Sequence, residues 1–128
     1  MDNFDVIELK LPLKAEYVSI VRLTASGISN RIGFDIDSIE DIKVAIAEVC
    51  NKLITVGSAT EDFVKIIFRI SKDKLTVIFD SEDESLKCIF SGSDNEFGLS
   101  IINALMDEVE LCSDSYILSI SKVIEGKS

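Results

Sequence analysis

Glu48 and Lys52 are the residues whose types and spacing could do chemistry. They lie in the stretch IKVAIAEVCNKLITVG, residues 42–57. A carboxylate can act as a general base, and an ammonium can supply positive charge where a metal ion would otherwise be. The same spacing is also that of an ordinary ion pair on a helix surface, which stabilises a helix by about 0.2–0.5 kcal/mol. The two interpretations differ on whether the chain is an enzyme.

An amphipathic helix is expected around this pair, beginning at Asp37 or Ser38 and ending near Gly57. Either start has an acidic residue three positions later, which is the spacing of a capping box. The apolar stripe of this helix is Ile39, Ile42, Ile46, Val49 and Leu53.

The other elements follow from the hydrophobic period. Alternation predicts strands over residues 4–13, 62–71, 75–80, 86–90, 109–113 and 116–123. A helical period predicts helices over about 16–32 and 95–106, and the apolar stripe of the earlier one is Tyr17, Ile20, Val21, Thr24, Ile28 and Ile32. We expect the stripe of the 37–57 helix to pack on the sheet beside Ile20, Ile28, Val64, Phe68 and Leu118.

This order of elements predicts a single α+β domain over residues 1–128. Its architecture is a two-layer α/β sandwich in which three helices cover a mostly antiparallel sheet. A length of 128 residues, of which 47% are hydrophobic, is sufficient to bury one core.

The charge balance restricts the partners of the chain. With 23 acidic and 13 basic residues, its net charge is −10. That charge argues against nucleic acid and against anionic membranes, and it suits a basic protein partner. The sequence has no long apolar run and no signal-peptide pattern at MDNFDVIELK, so a cytoplasmic location is expected.

Histidine is absent, which removes the commonest catalytic base and metal ligand. We therefore expect no zinc site and no classical catalytic triad. The three cysteines, Cys50, Cys88 and Cys112, are far apart and lie in apolar stretches, so they are interpreted as reduced, buried thiols.

Three stretches carry a resemblance to a known family. They are AEYVSIVRLTASGISNRIGF (15–34), IEDIKVAIAEVCNKLI (39–54) and EFGLSIINALMDEVEL (96–111). They resemble the anti-sigma-factor serine kinases of the histidine-kinase-like (GHKL) ATPase superfamily, over nearly the whole chain. The resemblance implies the Bergerat ATPase fold, with Mg-ATP as the cofactor wherever the family activity is retained.

The resemblance also implies a role for the first pair of residues. In that family a Glu acts as general base, and an Asn four residues later binds the magnesium that bridges the ATP phosphates. Glu48 matches the Glu, but Lys52 stands at the Asn position. Asn51 lies about 100° away around the helix and cannot simply replace it. An ammonium has only donors and cannot ligate Mg²⁺, so the surface ion pair is the favoured interpretation here.

Two further sequence motifs of the family are altered in this chain. In the family Asp-x-Gly-x-Gly motif the Asp binds adenine. Here the motif reads DSEDE, which keeps Asp80 and replaces both glycines by Glu82 and Glu84. The lid stretch SGSDNEFG keeps Gly92 and Gly98 but places acidic residues at a helix start, where a phosphate would bind. We therefore expect no bound cofactor.

The first helix retains a surface that a partner could use. Val18, Arg22, Ala25 and Ser29 are predicted to share a face away from the isoleucine stripe. In the family an Arg at the position of Arg22 lies in the surface that binds the sigma factor and the anti-anti-sigma factor.

Two functions remain open from the sequence. The favoured one is an anti-sigma-like regulator that binds a sigma factor and/or an anti-anti-sigma protein, with impaired or lost ATP binding. The alternative is an active ATP-dependent protein serine kinase that phosphorylates an anti-anti-sigma factor. Because members of the family commonly dimerise, a homodimer also stays open.

Overall fold

The computed structural model describes residues 5–57, 63–81, 96–111 and 116–124. In these ranges the chain forms five strands, named β1 (Asp5–Pro12), β2 (Phe63–Ile70), β3 (Lys74–Ser81), β4 (Glu108–Leu111) and β5 (Leu118–Val123). It also forms three α-helices, named α1 (Val18–Ile32), α2 (Ile36–Gly57) and α3 (Glu96–Leu105), and a 3₁₀ turn at Ala15–Tyr17. The strand predicted over 86–90 lies outside the described residues.

The five strands form one sheet in the order β1-β2-β3-β5-β4, and every neighbouring pair is antiparallel. A tight turn joins β2 to β3, where the Ser71 backbone N–H donates to the Lys74 carbonyl oxygen at 3.0 Å. The buried side chains of the strands and helices form one core. The prediction of an α+β sandwich with an antiparallel sheet and three helices is confirmed.

The core joins α2 to one face of the sheet. The predicted α2 stripe is confirmed, because Ile42, Ile46, Val49 and Leu53 are fully buried and Ile39 packs against the same core. The strands contribute alternate residues, of which the fully or almost fully buried ones are Val64, Ile66, Phe68, Leu75, Val77, Phe79, Leu118 and Ile120.

The buried face of α1 agrees with the prediction at Val21 and Ile28 and differs from it at three other positions. Ala25 and Ser29 are fully buried, whereas Ile20 is 47% exposed. The prediction that Ile20 packs in the core and that Ala25 and Ser29 face outward is therefore wrong. The helix carries apolar residues on two sides, and small side chains at positions 25 and 29 are compatible with close approach of α1 to α2.

The junction of α1 and α2 is built from a left-handed glycine and an aspartate cap. Gly33 has φ of 112°, and the Phe34 N–H donates to the Ser29 carbonyl oxygen, which is a Schellman-type end for α1. The Asp35 carboxylate then accepts the Ser38 N–H at 2.8 Å. Helix α2 therefore starts at Ile36 with Asp35 as its cap, and the predicted start at Asp37 or Ser38 was late by one or two residues.

Lys122 on β5 contacts both α2 and α3 at the end of the molecule where α2 begins. Its ammonium on β5 donates to the Leu105 carbonyl oxygen at the end of α3, at 2.6 Å, and lies 3.8 Å from the Asp41 carboxylate of α2. A cation at the C-terminus of a helix satisfies a free carbonyl and complements the helix dipole. This contact fixes α3 beside α2.

No helix in the described ranges combines the length and the apolarity needed to cross a membrane.

Candidate functional site

Helix α2 holds both Glu48 and Lys52 half-buried, beside the core positions Val49 and Leu53. Asn51, between them in sequence, is exposed. The two side chains are one turn apart on the same side of the helix, because residues four apart are neighbours on a helix surface.

The expected ion pair between these residues is not formed. Among the contacts of the described residues, no ion pair joins Glu48 to Lys52, and neither side chain makes a hydrogen bond. The same helix does form a surface pair elsewhere, where the Lys43 ammonium lies 3.2 Å from the Glu40 carboxylate. The interpretation of Glu48 and Lys52 as an ordinary surface pair is therefore wrong for this structure.

Asp80 lies on a different element from this pair. It lies near the end of β3 in register with Lys65 of β2, between the buried residues Phe79 and Ser81. Since side chains alternate along a strand, Asp80 is directed to the face of the sheet opposite the core, whereas α2 packs on the core face. Ser81, on the core side, donates its hydroxyl to the Phe63 carbonyl oxygen at 3.2 Å.

The predicted face of α1 is divided by the structure. Arg22 is exposed and Val18 is partly buried, while Ala25 and Ser29 belong to the core side and cannot contact a partner. Two large apolar residues of α1 are exposed as well, since Leu23 is 72% exposed and Ile20 is 47% exposed, and these two lie about 60° from each other around the helix. Sequence reasoning placed Ile20 in the core stripe because of its hydrophobicity, and it assigned Leu23 to neither face.

A polar cavity of about 440 Å³ lies at the N-terminal end of α2. Its lining includes Asp35, Asp41, Asp107 and Lys122. Position 52 lies eleven residues after Asp41, or roughly 16 Å along the helix at 1.5 Å per residue, so this cavity is separate from Lys52.

Comparison with known proteins places this arrangement in a family. The model of the histidine kinase-like ATPase domain matches residues 11–121 of the chain. The chain belongs to this family. A serine-protein kinase RsbW from Bacillus cereus strain B4264 is 37% identical over 133 residues, and one from Bacillus mycoides strain KBAB4 is 34% identical over 131. In both cases the match covers 89% of this chain and 81% of the relative, so the chain is RsbW-like along most of its length.

The magnesium that the histidine kinase-like fold implies does not fit the residues present on α2. At the position where the family resemblance requires an oxygen ligand, Lys52 offers only N–H donors. Asn51 is exposed on a different side of the helix. Within the described ranges, no group of three or more Cys, Asp or Glu residues could hold a metal ion.

Several predicted site residues lie outside the described residues. These are Gly92 of the lid stretch and the acidic residues Glu82 and Glu84 at the glycine positions. Gly98 falls within the first turn of α3, which begins at Glu96. Of the residues in the family's nucleotide-binding motifs, the structure therefore describes the side chains of Glu48, Lys52 and Asp80.

Proposed function

We propose that this chain is an anti-sigma-factor-like regulator that binds a sigma factor and/or an anti-anti-sigma protein, with Mg-dependent ATP binding impaired or lost. The observation that carries the proposal is the exposed surface of α1, which carries Arg22 and, about 100° further around the helix, the exposed apolar Leu23, with Ile20 on the far side of Leu23. Arginine and large apolar side chains that lose water on association are the usual anchors of a protein interface.

Two other features support this proposal. The net charge of −10 complements a basic DNA-binding partner, which a sigma factor would be. Lys52 on α2 removes the oxygen ligand that the metal of an ATP-dependent kinase would need.

The test is a pull-down from the source cell with identification of the captured proteins, followed by affinity measurement. Arg22→Glu should weaken the complex and leave the melting temperature nearly unchanged, because Arg22 is exposed. Arg31→Glu is the matched control, since Arg31 is also exposed on α1 but lies nine residues, or roughly 13 Å, further along the helix. If the captured proteins included no transcription or anti-sigma-pathway protein, the proposal that the partner is a sigma factor or its antagonist would be refuted. Equal binding by Arg22→Glu and the unmodified protein would instead show that the partner does not bind at the Arg22 surface of α1.

The second candidate function is an active protein serine kinase. Glu48 favours it, because this carboxylate is half-buried on α2 and unpaired in the described structure, as a general base toward a serine hydroxyl should be. Incubation with Mg-ATP and the captured anti-anti-sigma protein decides between the two candidates. Phosphoserine on that protein, lost in Glu48→Gln, would establish the kinase and exclude the pure binding role.

A further inference from the structure

Strand β1 lies at one edge of the sheet and, within the described ranges, pairs only with β2. It is eight residues long and its first four residues are exposed, among them the apolar Val6 at 50% and Ile7 at 40%. The only proline of the chain, Pro12, is the last residue of β1 and does not interrupt it. The outward backbone N–H and C=O groups of such an edge strand are a template for one more strand.

The opposite edge of the sheet is protected against such pairing. Strand β4 has only four residues, and two of them are the exposed Glu108 and Glu110. A short edge strand with like charges discourages pairing with another chain. Strand β1 differs in both respects, because it is twice as long and its central charges, Glu8 and Lys10, have opposite signs.

The sequence of β1 is complementary to itself when a second copy runs antiparallel to it. A two-fold axis at Leu9 places Glu8 of each copy opposite Lys10 of the other, on the open face of the sheet. On the face that carries the helices, the same axis places Leu9 opposite Leu9 and Ile7 opposite Leu11. Opposite charges and apolar side chains directly across two strands stabilise their pairing.

Other alignments of the two strands are unfavourable. A shift of one residue would bring the apolar face of one copy to the open side of the other. A shift of two residues in either direction would place Glu8 against Glu8 or Lys10 against Lys10, and like charges directly opposite are destabilising. Longer shifts shorten the paired stretch. The charges of β1 therefore select one alignment.

We propose that the outer edge of β1 is an interface with a second copy of this chain, formed by antiparallel pairing of the two β1 strands about Leu9. The two sheets then become one continuous sheet, with the helical layers of both copies on the same side. The assembly closes at two copies, because the same edge is used by both. This inference concerns how the chain assembles with itself, and it does not rest on the proposed regulator role or on the α1 surface.

Sedimentation equilibrium of the full chain over a range of protein concentrations tests the proposal. We expect a monomer–dimer equilibrium for the unmodified protein. Glu8→Lys and Lys10→Glu, each alone, should weaken the dimer by about tenfold or more, because each change turns two attractive pairs into two repulsive ones. An equimolar mixture of these two variants should recover the dimer, since every charge in the mixed pair again faces its opposite.

Glu16→Lys is the matched control, because it changes the net charge by the same amount at an exposed residue outside β1. It should leave the dimer dissociation constant unchanged, and thermal melting of each variant verifies the fold. A monomeric unmodified protein, an unweakened dimer in Glu8→Lys, or a mixture of variants that stays monomeric would each overturn the proposal. Species that grow beyond the dimer would also overturn it, since they would indicate pairing between unlike edges. None of these measurements involves a sigma factor or its antagonist, so failure of this inference and failure of the proposed regulator are distinguishable.

Discussion

At the scale of single residues, Leu23 offers the clearest test of the α1 surface. It is 72% exposed in the middle of a helix, and burying a leucine side chain against a partner contributes about 1.5–3 kcal/mol. We expect Leu23→Ser to weaken the partner complex by at least about tenfold without lowering the melting temperature.

Ile36→Ser is the control for this prediction. Ile36 is 77% exposed, but it begins α2, beyond the end of α1. Binding should be measured by surface plasmon resonance on the two variants side by side. Equal losses of affinity in both would show that general surface hydrophobicity, and not this face of α1, drives the association.

Cys50 gives a second prediction at the residue scale. Burial raises the pKa of its thiol from 9.0 to about 12. Between pH 9 and about 12, the folded protein therefore keeps this proton, whereas the unfolded chain loses it. The resulting contribution to stability is present below pH 9 and is lost as the pH rises from 9 toward about 12.

Because the thiolate is the reactive form, native Cys50 should resist iodoacetamide even at pH near 9. Addition of urea should make it react rapidly. Peptide mapping by mass spectrometry reads Cys50 separately from Cys88 and Cys112, which lie outside the described residues. Rapid labelling of Cys50 in the native protein would contradict its buried position.

At the scale of elements, two glycines of the α1 region should respond to the same substitution with opposite signs. Gly33 has φ of 112°, a conformation that L-residues adopt only with strain, although the nearest atom to an added Cβ is the Ile124 Cδ1 at 4.0 Å. Gly27 lies inside α1, where nothing stands within 4 Å of an added Cβ.

We expect Gly33→Ala to reduce the free energy of unfolding by about 1 kcal/mol, through backbone strain rather than a clash. Gly27→Ala should increase that free energy by about 0.5–1 kcal/mol, because alanine is the better helix former. Urea denaturation of both variants measures the two effects. A stabilising Gly33→Ala would mean that α1 does not end in the left-handed turn described above.

The elements also show which features could be predicted from the sequence. Strict alternation in β2 and the regular stripe of α2 left one choice of buried face, and both were predicted correctly. Helix α1 offered two apolar sides, and hydrophobicity alone could not rank small Ala25 above large Ile20.

The site was predictable only in part, for a physical reason. The sequence identifies Glu48 and Lys52 as neighbours on a helix. Whether they form an ion pair depends on how deeply each side chain is buried. The half-burial of both side chains is a property of the packed layers, so the absence of an ion pair between them in the described structure could not be read from their spacing.

At the scale of the whole molecule, the candidate surfaces lie on two different helices of the same layer. The core face of the sheet carries the helices, so the Glu48 and Lys52 pair lies in the helical layer. Arg22 and Leu23 belong to another helix of that layer and are turned outward. A protein partner on α1 therefore has contact residues separate from Glu48 and Lys52, and each set can be tested by variants that leave the other unchanged.

The final prediction concerns the field of the entire chain. A net charge of −10 creates a long-range attraction for a basic partner, and salt screens that attraction over a distance of about 8–10 Å near physiological ionic strength. The association rate constant should therefore fall as NaCl is added, while the dissociation rate constant changes little, because the apolar contacts expected at Leu23 are short-ranged. Stopped-flow association at two salt concentrations measures this, with an uncharged osmolyte at matched osmolarity as the control. An association rate constant that does not change with salt would show that the acidic surface does not guide the encounter. A large rise in the dissociation rate constant with salt would place charged pairs, such as one to Arg22, at the centre of the bound interface.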